Sequence, residues 1–389
     1  MRFKRVFLLV VDSLGVGEAL DADKYNDNGS NTLGNLLDRE NVYIPFLEKI
    51  GLKNTLTMAS KEVDAYYTIA RPTNIGKDSL SGHYEMMGIK LDKEYQKFYD
   101  NDSRFPSELL STVANKLQVP IVGNLVGSTE DILAKLGSRG LESGCLIIYT
   151  TGDSNLEILA HEDKVPVQEL YKYCEVIREL TKKEEWKIAR ITARPYTGED
   201  HFTLTKDNRA FTLNPPERSA LDILKDNNLQ VISIGKINDI FNGYGITKII
   251  KATNNNETFN KLNELVDKNF EGLCFANFPD TDILCGHKRD VEAYKKALEE
   301  FDVNLSVFAN NINIDDLIII TADHGCDPTQ VGFNHTRENV PIIIYSRCFM
   351  EPHQIEIRET LADIGATILD NFEIEEKLTI GKSFKEDLK

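Results

Sequence analysis

The chain has 389 residues, more than one typical domain holds, so its length predicts two domains or three. Apolar residues make up 41% of the sequence and charged residues 28%, as in an ordinary globular protein, and no apolar run approaches the roughly 20 residues that span a bilayer. The formal net charge of −17 repels nucleic acid and anionic membranes, which argues against both as partners, and an anionic substrate would need local positive charge from metal ions or clustered Lys and Arg.

Short apolar runs along the chain predict buried parallel strands. In chain order these runs cover residues 6–11, 146–149, 231–234, 273–278, 317–321 and 341–345. Between them, apolar residues recur at spacings of three and four, most clearly over 167–180 and 291–308, which predicts amphipathic helices. Strands that alternate with such helices indicate an α/β fold.

The middle of the chain has strand and helix patterns of its own, separated by polar loops. We predict an inserted second domain over residues 92–209 and a core domain formed by 1–91 and 210–389. No small-residue cleavage site follows the first apolar run, so we expect no signal peptide. The six cysteines have neither CxxC nor zinc-finger spacing, so we expect buried, reduced thiols in a cytoplasmic protein.

Six side chains of metal-ligand type follow the ends of predicted strands or lie shortly beyond them. They are Asp12, Asp282, His287, Asp323, His324 and His335. Ligands bind beyond the carboxyl ends of parallel strands, so three strand ends would bring these groups to one edge of a sheet. Carboxylate oxygen together with imidazole nitrogen suits Mn, Zn or Fe better than Ca or Mg. A single Asp at a strand end is also typical of a turn or a helix cap, so spacing alone leaves both interpretations open.

A loop bounded by glycines, residues 76–85, offers two hydroxyl groups, those of Ser79 and Ser81. One interpretation is a helix N-terminus capped by either serine, with a Glu further on. The other is a nucleophile, because a hydroxyl placed between two cations can ionise near neutral pH. Positive charge for an anionic substrate could come from Lys236 at a strand end, or from Arg190 and Arg194, which would share one face of an extended segment.

Segments in order along essentially the whole chain resemble the phosphopentomutase family of the alkaline phosphatase superfamily. They cover residues 10–19, 76–88, 191–195, 234–236, 286–290, 322–325 and 361–367. The Asp-His-Gly sequence at 323–325 alone is typical of the superfamily. The opening segment is more specific in combination with the Lys-Asp-hydroxyl-x-hydroxyl-Gly-His pattern at 77–83.

This resemblance implies a core with a mainly parallel sheet flanked by helices, and an inserted smaller α/β cap domain. It also implies two divalent cations, expected to be Mn²⁺. One would be held by Asp12, Asp323 and His324, and the other by Asp282, His287 and His335. Ser79 would carry the phosphoryl group. The residues implied to bind the substrate are Asp153, Arg190, Arg194 and Lys236.

The implied activity is the interconversion of ribose 1-phosphate, or its 2-deoxy form, with the 5-phosphate. The route would pass through a phosphoserine enzyme and a bound bisphosphate, with priming by a sugar bisphosphate such as glucose 1,6-bisphosphate. The sequence departs from the family pattern at several positions, among them a shortened stretch over 123–130 and the residues 278–282 around Asp282. Ser79 and Ser81 stand where Thr is usual, Tyr84 stands where the family has Trp, and Cys326 stands where Asn commonly follows Asp-His-Gly.

Three other functions remain open on sequence grounds. A phosphatase, phosphodiesterase or sulfatase could use the same core, but it would need water access instead of a closing cap. A metal-dependent phosphoglycerate mutase fits the motifs less well. The fourth hypothesis is a non-catalytic metal-binding or scaffold protein that kept the core, and the Ser79 departure is its best support.

Overall fold

The computed structural model describes residues 2–58, 62–98, 104–151 and 154–389, and the chain divides into two units. The core unit combines residues 1–93 and 215–389, and the inserted unit spans 94–214. The sequence predicted that the inserted domain begins at residue 92 and ends at residue 209. In the structure the inserted unit begins at 94 and ends at 214. A role of the inserted unit as a cap stays a prediction.

The strands within the described residues succeed one another along the chain as follows. They are β1 (Arg5–Val11), β2 (Tyr66–Ala70), β3 (Ile121–Val126), β4 (Leu146–Thr150), β5 (Asn155–His161), β6 (Arg190–Thr197), β7 (Thr203–Leu204), β8 (Arg209–Thr212), β9 (Gln230–Ile234), β10 (Lys248–Ile250), β11 (Gly272–Phe278), β12 (Asp316–Thr321) and β13 (Val340–Tyr345).

The α-helices of the same residues follow in the same order. They are α1 (Thr32–Arg39), α2 (Pro45–Lys49), α3 (Ser79–Met86), α4 (Ser107–Leu117), α5 (Thr129–Ser143), α6 (Val167–Leu180), α7 (Ala220–Asp226), α8 (Ile237–Ile240), α9 (Asn255–Val266), α10 (Val291–Asn311) and α11 (Ala362–Asn371). Short 3₁₀ segments lie at Ala22–Tyr25, Leu52–Leu56, Glu184–Trp186 and Lys385–Asp387, and a π-helical turn covers Thr281–Gly286. None of the helices in the described part of the chain is long and apolar enough to cross a bilayer.

The core unit is built on a seven-stranded sheet in the order β10-β9-β11-β1-β12-β13-β2. The first five strands of this order run parallel, and β13 is antiparallel to both of its neighbours. Every residue of β1, β11 and β12 is buried, as expected for central strands whose two faces are both covered. The prediction of a mainly parallel sheet is therefore confirmed.

All six predicted strands are present, and their ends differ from the prediction by one residue at most. The predicted direction was wrong for 341–345, because β13 pairs antiparallel with β12. An apolar run reports burial but carries no information on strand direction, which depends on how the chain returns to the sheet.

The inserted unit has its own six-stranded sheet, with β3, β4, β5, β6 and β7 in order and β8 paired to β6. Its pairings mix parallel and antiparallel, so β4 is parallel to β3 but antiparallel to β5. Helices α4 and α6 pack their apolar faces against this sheet around Val113, Leu170 and Ile158, which form part of a separate hydrophobic core. A core of its own is what defines a domain.

Candidate metal centre

Four adjacent parallel strands of the core sheet, in the order β9, β11, β1 and β12, end at the same edge. Each is followed within a few residues by a polar side chain of the predicted site. Lys236 follows β9, Asp282 follows β11, Asp12 follows β1, and Asp323 and His324 follow β12. These residues therefore lie together beyond the carboxyl ends of the parallel strands.

The first cluster contains Asp12, Asp323 and His324, whose ligand atoms lie within 4.8 Å of one another. His324 Nε2 is 3.5 Å from Asp12 Oδ1 and 3.3 Å from Asp323 Oδ2. Ser13 follows Asp12 with a φ of +69°, so the chain leaves the sheet sharply just after the carboxylate. The Ser13 amide in turn donates to Asp323 Oδ1 over 3.2 Å, which ties the two strand ends together.

The second cluster contains Asp282, His287 and His335. His287 Nε2 lies 3.3 Å from Asp282 Oδ2, and His335 Nε2 lies 3.4 Å from Asp282 Oδ1. The two imidazole Nε2 atoms are 3.2 Å apart. The π-helical turn places Asp282 and His287 at its two ends, and π-helical turns are frequent at functional sites. The ring of His335 also stacks on that of His324 at 3.8 Å between centroids, so the two clusters are contiguous.

The electrostatics of these clusters are those of a buried anionic site. Burial and the neighbouring Asp323 carboxylate raise the pKa of Asp12 well above its ordinary value, although Lys236 opposes both effects. Burial acts in the same direction on Asp282, but His287 and His335 overcome it and hold the pKa of Asp282 well below its usual range. Burial lowers the pKa of His324 to about 4, so its imidazole is neutral at pH 7, the form that binds metals.

The donor atoms fit divalent cations. Three buried carboxylate oxygens, Asp12 Oδ1, Asp282 Oδ1 and Asp323 Oδ2, accept no well-formed hydrogen bond among the residues that the structure describes, and imidazole nitrogens lie 3.3–3.5 Å from them. Such atoms are costly to bury unless something else satisfies them. Two ligands that each bind one cation at about 2.1 Å in a tetrahedral arrangement lie about 3.4 Å apart. The separations of 3.2–3.5 Å within both clusters match that spacing.

Ser79 lies at the first position of α3, and its hydroxyl points into this site. Its Oγ is 3.2 Å from His324 Nε2 and 2.7 Å from Lys236 Nζ. The alternative prediction of a helix N-terminus at this loop is confirmed, but its cap is Asp78 and not Ser79 or Ser81: the Asp78 side chain accepts the Ser81 amide at 3.0 Å, and the Ser81 hydroxyl accepts the Asp78 amide at 3.2 Å. Gly82 allows the close approach of α3, since a Cβ there would lie 2.0 Å from the Asp323 carbonyl oxygen.

Lys236 is the cation in contact with both the hydroxyl and the first cluster. Its Nζ forms an ion pair with Asp12 and lies 3.7 Å from Asp323 Oδ2. Burial disfavours its charge, but the carboxylates of Asp12, Asp323 and Asp282 prevail and raise the pKa of Lys236. The ammonium group is therefore charged at neutral pH and in direct contact with Ser79 Oγ.

His83 ends the motif at 77–83, but the sequence pattern alone assigned no role to this residue. The structure places His83 Nδ1 2.7 Å from the Ser79 carbonyl oxygen and 3.3 Å from Asp323 Oδ2. His83 therefore links the backbone of the candidate nucleophile to a candidate ligand. The spacing of four residues between Ser79 and His83 on one helix is the signal that could have suggested this contact.

Arg337 was missed altogether, although it holds the loop that leads to Ser79. It is 4% exposed, and its guanidinium donates to the carbonyl oxygens of Pro72, Asn74 and Gly76. The same group forms an ion pair with Asp21 at 2.9 Å. These partners lie more than 250 residues away in sequence, so no local pattern could have revealed the contacts.

The structure describes two of the three predicted substrate-binding residues of the inserted unit. Arg190 and Arg194 lie on the same strand, β6, and their even separation puts them on one face. Arg194 forms an ion pair with the fully buried Glu157, a partner that the sequence did not suggest. Asp153 falls outside the described residues.

All six cysteines are free, as expected, with five buried and Cys348 half-buried.

Comparisons with known proteins identify the family of the chain. The model of the metalloenzyme superfamily matches residues 4–376. A phosphopentomutase of Clostridium botulinum (strain Alaska E43 / Type E3) is 43% identical over 396 residues, covering 100% of this chain and 99% of that protein. A phosphopentomutase of Clostridium tetani (strain Massachusetts / E88) is also 43% identical, over 397 residues with the same coverage.

A solved structure, that of the PH0037 protein from Pyrococcus horikoshii, aligns with a TM-score of 0.50 and 13% identity, covering 98% of this chain and 100% of that one. At this identity the likeness concerns the fold. The predicted fold class is confirmed, and the superfamily together with the two ligand clusters supports the use of divalent metal. With 43% identity over its whole length to curated members, the chain is an enzyme of the phosphopentomutase family, as the sequence motifs predicted.

Proposed function

We propose that this enzyme interconverts ribose 1-phosphate, or 2-deoxyribose 1-phosphate, with the corresponding 5-phosphate through a phosphorylated Ser79. The observation that carries this proposal is the position of the Ser79 hydroxyl. It touches Lys236 at 2.7 Å and His324 at 3.2 Å, and His324 belongs to the first cluster and stacks on His335 of the second. A hydroxyl in that position has no evident structural task, because Asp78 already caps α3.

Two divalent cations bound at Asp12, Asp323 and His324 and at Asp282, His287 and His335 would neutralise phosphoryl oxygens and favour ionisation of the Ser79 hydroxyl. We expect them to be Mn²⁺, although the donor set suits Zn²⁺ as well.

The residues of the chain then perform three tasks in the proposed cycle. Ser79 Oγ donates its phosphoryl group to the 5-hydroxyl of the bound sugar 1-phosphate and takes back the 1-phosphoryl group after the bisphosphate has reoriented. Lys236 balances the negative charge on Ser79 Oγ and on the transferring group, which it can do from 2.7 Å. His83 holds the Ser79 carbonyl oxygen at 2.7 Å and so keeps the first turn of α3 in place.

The inserted unit would complete the site as a cap. We propose that Arg190, Arg194 and Asp153 bind the sugar phosphate and that closure excludes water, which would otherwise hydrolyse the phosphoenzyme. Two arginines on one strand face suit a phosphate, because a guanidinium can bind two of its oxygens. A sugar bisphosphate such as glucose 1,6-bisphosphate would phosphorylate Ser79 at the start.

The proposal is tested by incubating the chain with ribose 1-phosphate, Mn²⁺ and catalytic glucose 1,6-bisphosphate, and measuring ribose 5-phosphate and free phosphate. We expect ribose 5-phosphate as the main product. A phosphatase would instead release free phosphate, and that result would refute the mutase.

The role of Ser79 is tested in the same assay with three variants. Ser79→Ala is expected to lower kcat by about 10³-fold or more, as removal of a nucleophile does. Ser79→Thr keeps the hydroxyl and should retain activity within about tenfold. Ser111→Ala changes an exposed serine of α4 and serves as the control. Activity that survives in Ser79→Ala would remove Ser79 as the phosphoryl carrier.

A further inference from the structure

Cys326 lies beside the second cluster, at one of the positions where the sequence departs from the family pattern. It directly follows the segment that carries Asp323 and His324, and its side chain is fully buried. The Sγ atom, a carboxylate oxygen of Asp282 and a ring nitrogen of His287 all lie within 4.8 Å of one another. The thiol is thus as close to these two candidate ligands as metal ligands are to each other.

The approach of Sγ to the π-helical turn depends on a missing side chain. Gly286 is the last residue of the turn, between Asp282 and His287 in sequence, and a Cβ at Gly286 would lie only 2.8 Å from the Cys326 Sγ. The backbone of Cys326 is also fixed, since its amide donates to the Ser13 carbonyl oxygen at 3.2 Å and lies 3.1 Å from Thr32 Oγ1. The backbone that carries the sulfur is therefore fixed beside the turn.

A guanidinium also contacts the same sulfur. Arg289 Nη1 lies 3.3 Å from Cys326 Sγ. The rest of this side chain is held by donations to carbonyl oxygens, among them those of Gly332 at 2.6 Å and Asn334 at 2.5 Å. Arg289 itself has a φ of +54°, a left-handed conformation that non-glycine residues rarely adopt. An N–H donor directed at sulfur is the kind of contact that stabilises a metal-bound thiolate.

We propose that Cys326 is a sulfur ligand of the cation held by Asp282 and His287, and that it shifts the preference of this site from Mn²⁺ towards softer cations such as Zn²⁺ or Co²⁺. Thiolate is a soft ligand, whereas carboxylate and imidazole accept Mn²⁺ readily. Binding forms a metal–sulfur bond and releases the thiol proton to solvent, with no change of oxidation state. The inference rests on the metal site of the proposed function.

The test uses the full chain stripped of metal by a chelator and titrated with Co²⁺ alone. Visible d–d absorption reports that Co²⁺ is bound, and a near-ultraviolet charge-transfer band reports a bond from sulfur to cobalt. We expect both in the unmodified chain. In Cys326→Ser and Cys326→Asn the charge-transfer band should disappear while the d–d absorption remains.

The matched control is Cys285→Ser. Cys285 lies within the same π-helical turn, but its Sγ contacts the Asp280 carbonyl oxygen at 3.4 Å instead of the cluster. Its replacement should leave the charge-transfer band unchanged. Loss of the band in this variant, with retention in Cys326→Ser, would overturn the assignment to Cys326.

A second measurement compares metal preference by competition of Zn²⁺ against Mn²⁺. Cys326→Asn is expected to lower the preference for Zn²⁺ about tenfold or more, as loss of a supporting group commonly does. An unchanged ratio would overturn the proposal.

In the Co²⁺ titration, d–d absorption without a charge-transfer band in the unmodified chain would mean that Cys326 is an ordinary buried thiol while the metal site stands. If no d–d absorption appears at all, the metal site of the proposed function fails and the sulfur ligand with it.

Discussion

The hydroxyl of Ser79 is bonded to one cationic side chain that is itself bonded to a candidate metal ligand. Lys236 Nζ contacts Ser79 Oγ at 2.7 Å and forms an ion pair with Asp12. Because the carboxylates around it raise its pKa, Lys236 stays charged over the whole neutral range. Phosphoryl transfer at Ser79 would therefore depend on a positive charge that is held in place before the reaction begins.

Replacement of Lys236 by Met keeps the length of the side chain and removes its charge. We expect kcat to fall by about 10²–10³-fold, which is the usual loss when one preorganised charge partner of a transition state is removed. The KM for the sugar phosphate should change much less. Steady-state kinetics with Mn²⁺ check both parameters.

The control for this variant is Lys248→Met, which removes an exposed lysine from the neighbouring strand β10. Its kinetics should equal those of the unmodified chain. A Lys236→Met variant with unaltered kcat would contradict the role given to this ammonium group.

At the scale of elements, the loop before α3 is held by the segment that leads into β13. Arg337 donates to the carbonyl oxygens of Pro72, Asn74 and Gly76, while Lys77 pairs with Asp27 at 2.6 Å. His335 lies two residues from Arg337, so the same segment carries a candidate metal ligand and the clamp on the Ser79 loop. The positions of Ser79 and of the second cluster are therefore coupled.

We expect Arg337→Met to lower the free energy of unfolding by roughly 3–5 kcal/mol, because it leaves a carboxylate and several carbonyl oxygens without their buried partner. Denaturant unfolding measures this loss. The exposed Arg218, which pairs with Glu376 at the surface, is the control, and Arg218→Met should have little effect. Equal stability of the two variants would contradict the clamp.

The elements differ in how far the sequence predicted them. The central strands were found to within one residue because burial on both faces leaves an unbroken apolar run, as in β1. The site residues after those strands were found because parallel strands end at one edge. The antiparallel direction of β13, the cap at Asp78 and the Arg337 contacts were not found. The strand direction and the Arg337 contacts depend on a chain reversal and on partners distant in sequence, which leave no periodic signal. The cap is a local contact between Asp78 and Ser81, but Asp and Ser are both common cap residues, so the sequence alone does not single out Asp78.

At the scale of the whole molecule, a chain of net charge −17 buries three carboxylates next to one another at the sheet edge. Their mutual repulsion is relieved in part by Lys236, and the proposed cations would relieve the rest. Metal binding should therefore stabilise the folded core as a whole, since a site assembled from four strand ends does not exist in the unfolded chain.

Removal of metal by EDTA is expected to lower the melting temperature. A cation present at 100 times its dissociation constant contributes about 2.7 kcal/mol to the stability of the folded state. Calorimetry before and after chelation, with Mn²⁺ added back, measures the change. The Asp323→Ala variant should lose most of this response. A melting temperature of the unmodified chain that does not change on chelation would contradict the metal site.

The central claim, that Ser79 passes a phosphoryl group between sugars, is tested most directly by a crossover experiment. Ribose 1-phosphate with a ¹³C-labelled sugar and ribose 1-phosphate with an ¹⁸O-labelled phosphate are mixed with the enzyme, and the mass of the product is measured by mass spectrometry. The account predicts ribose 5-phosphate that carries both labels in one molecule, because each phosphoryl group passes through the enzyme. Product without crossover, or free phosphate as the main product, would contradict it.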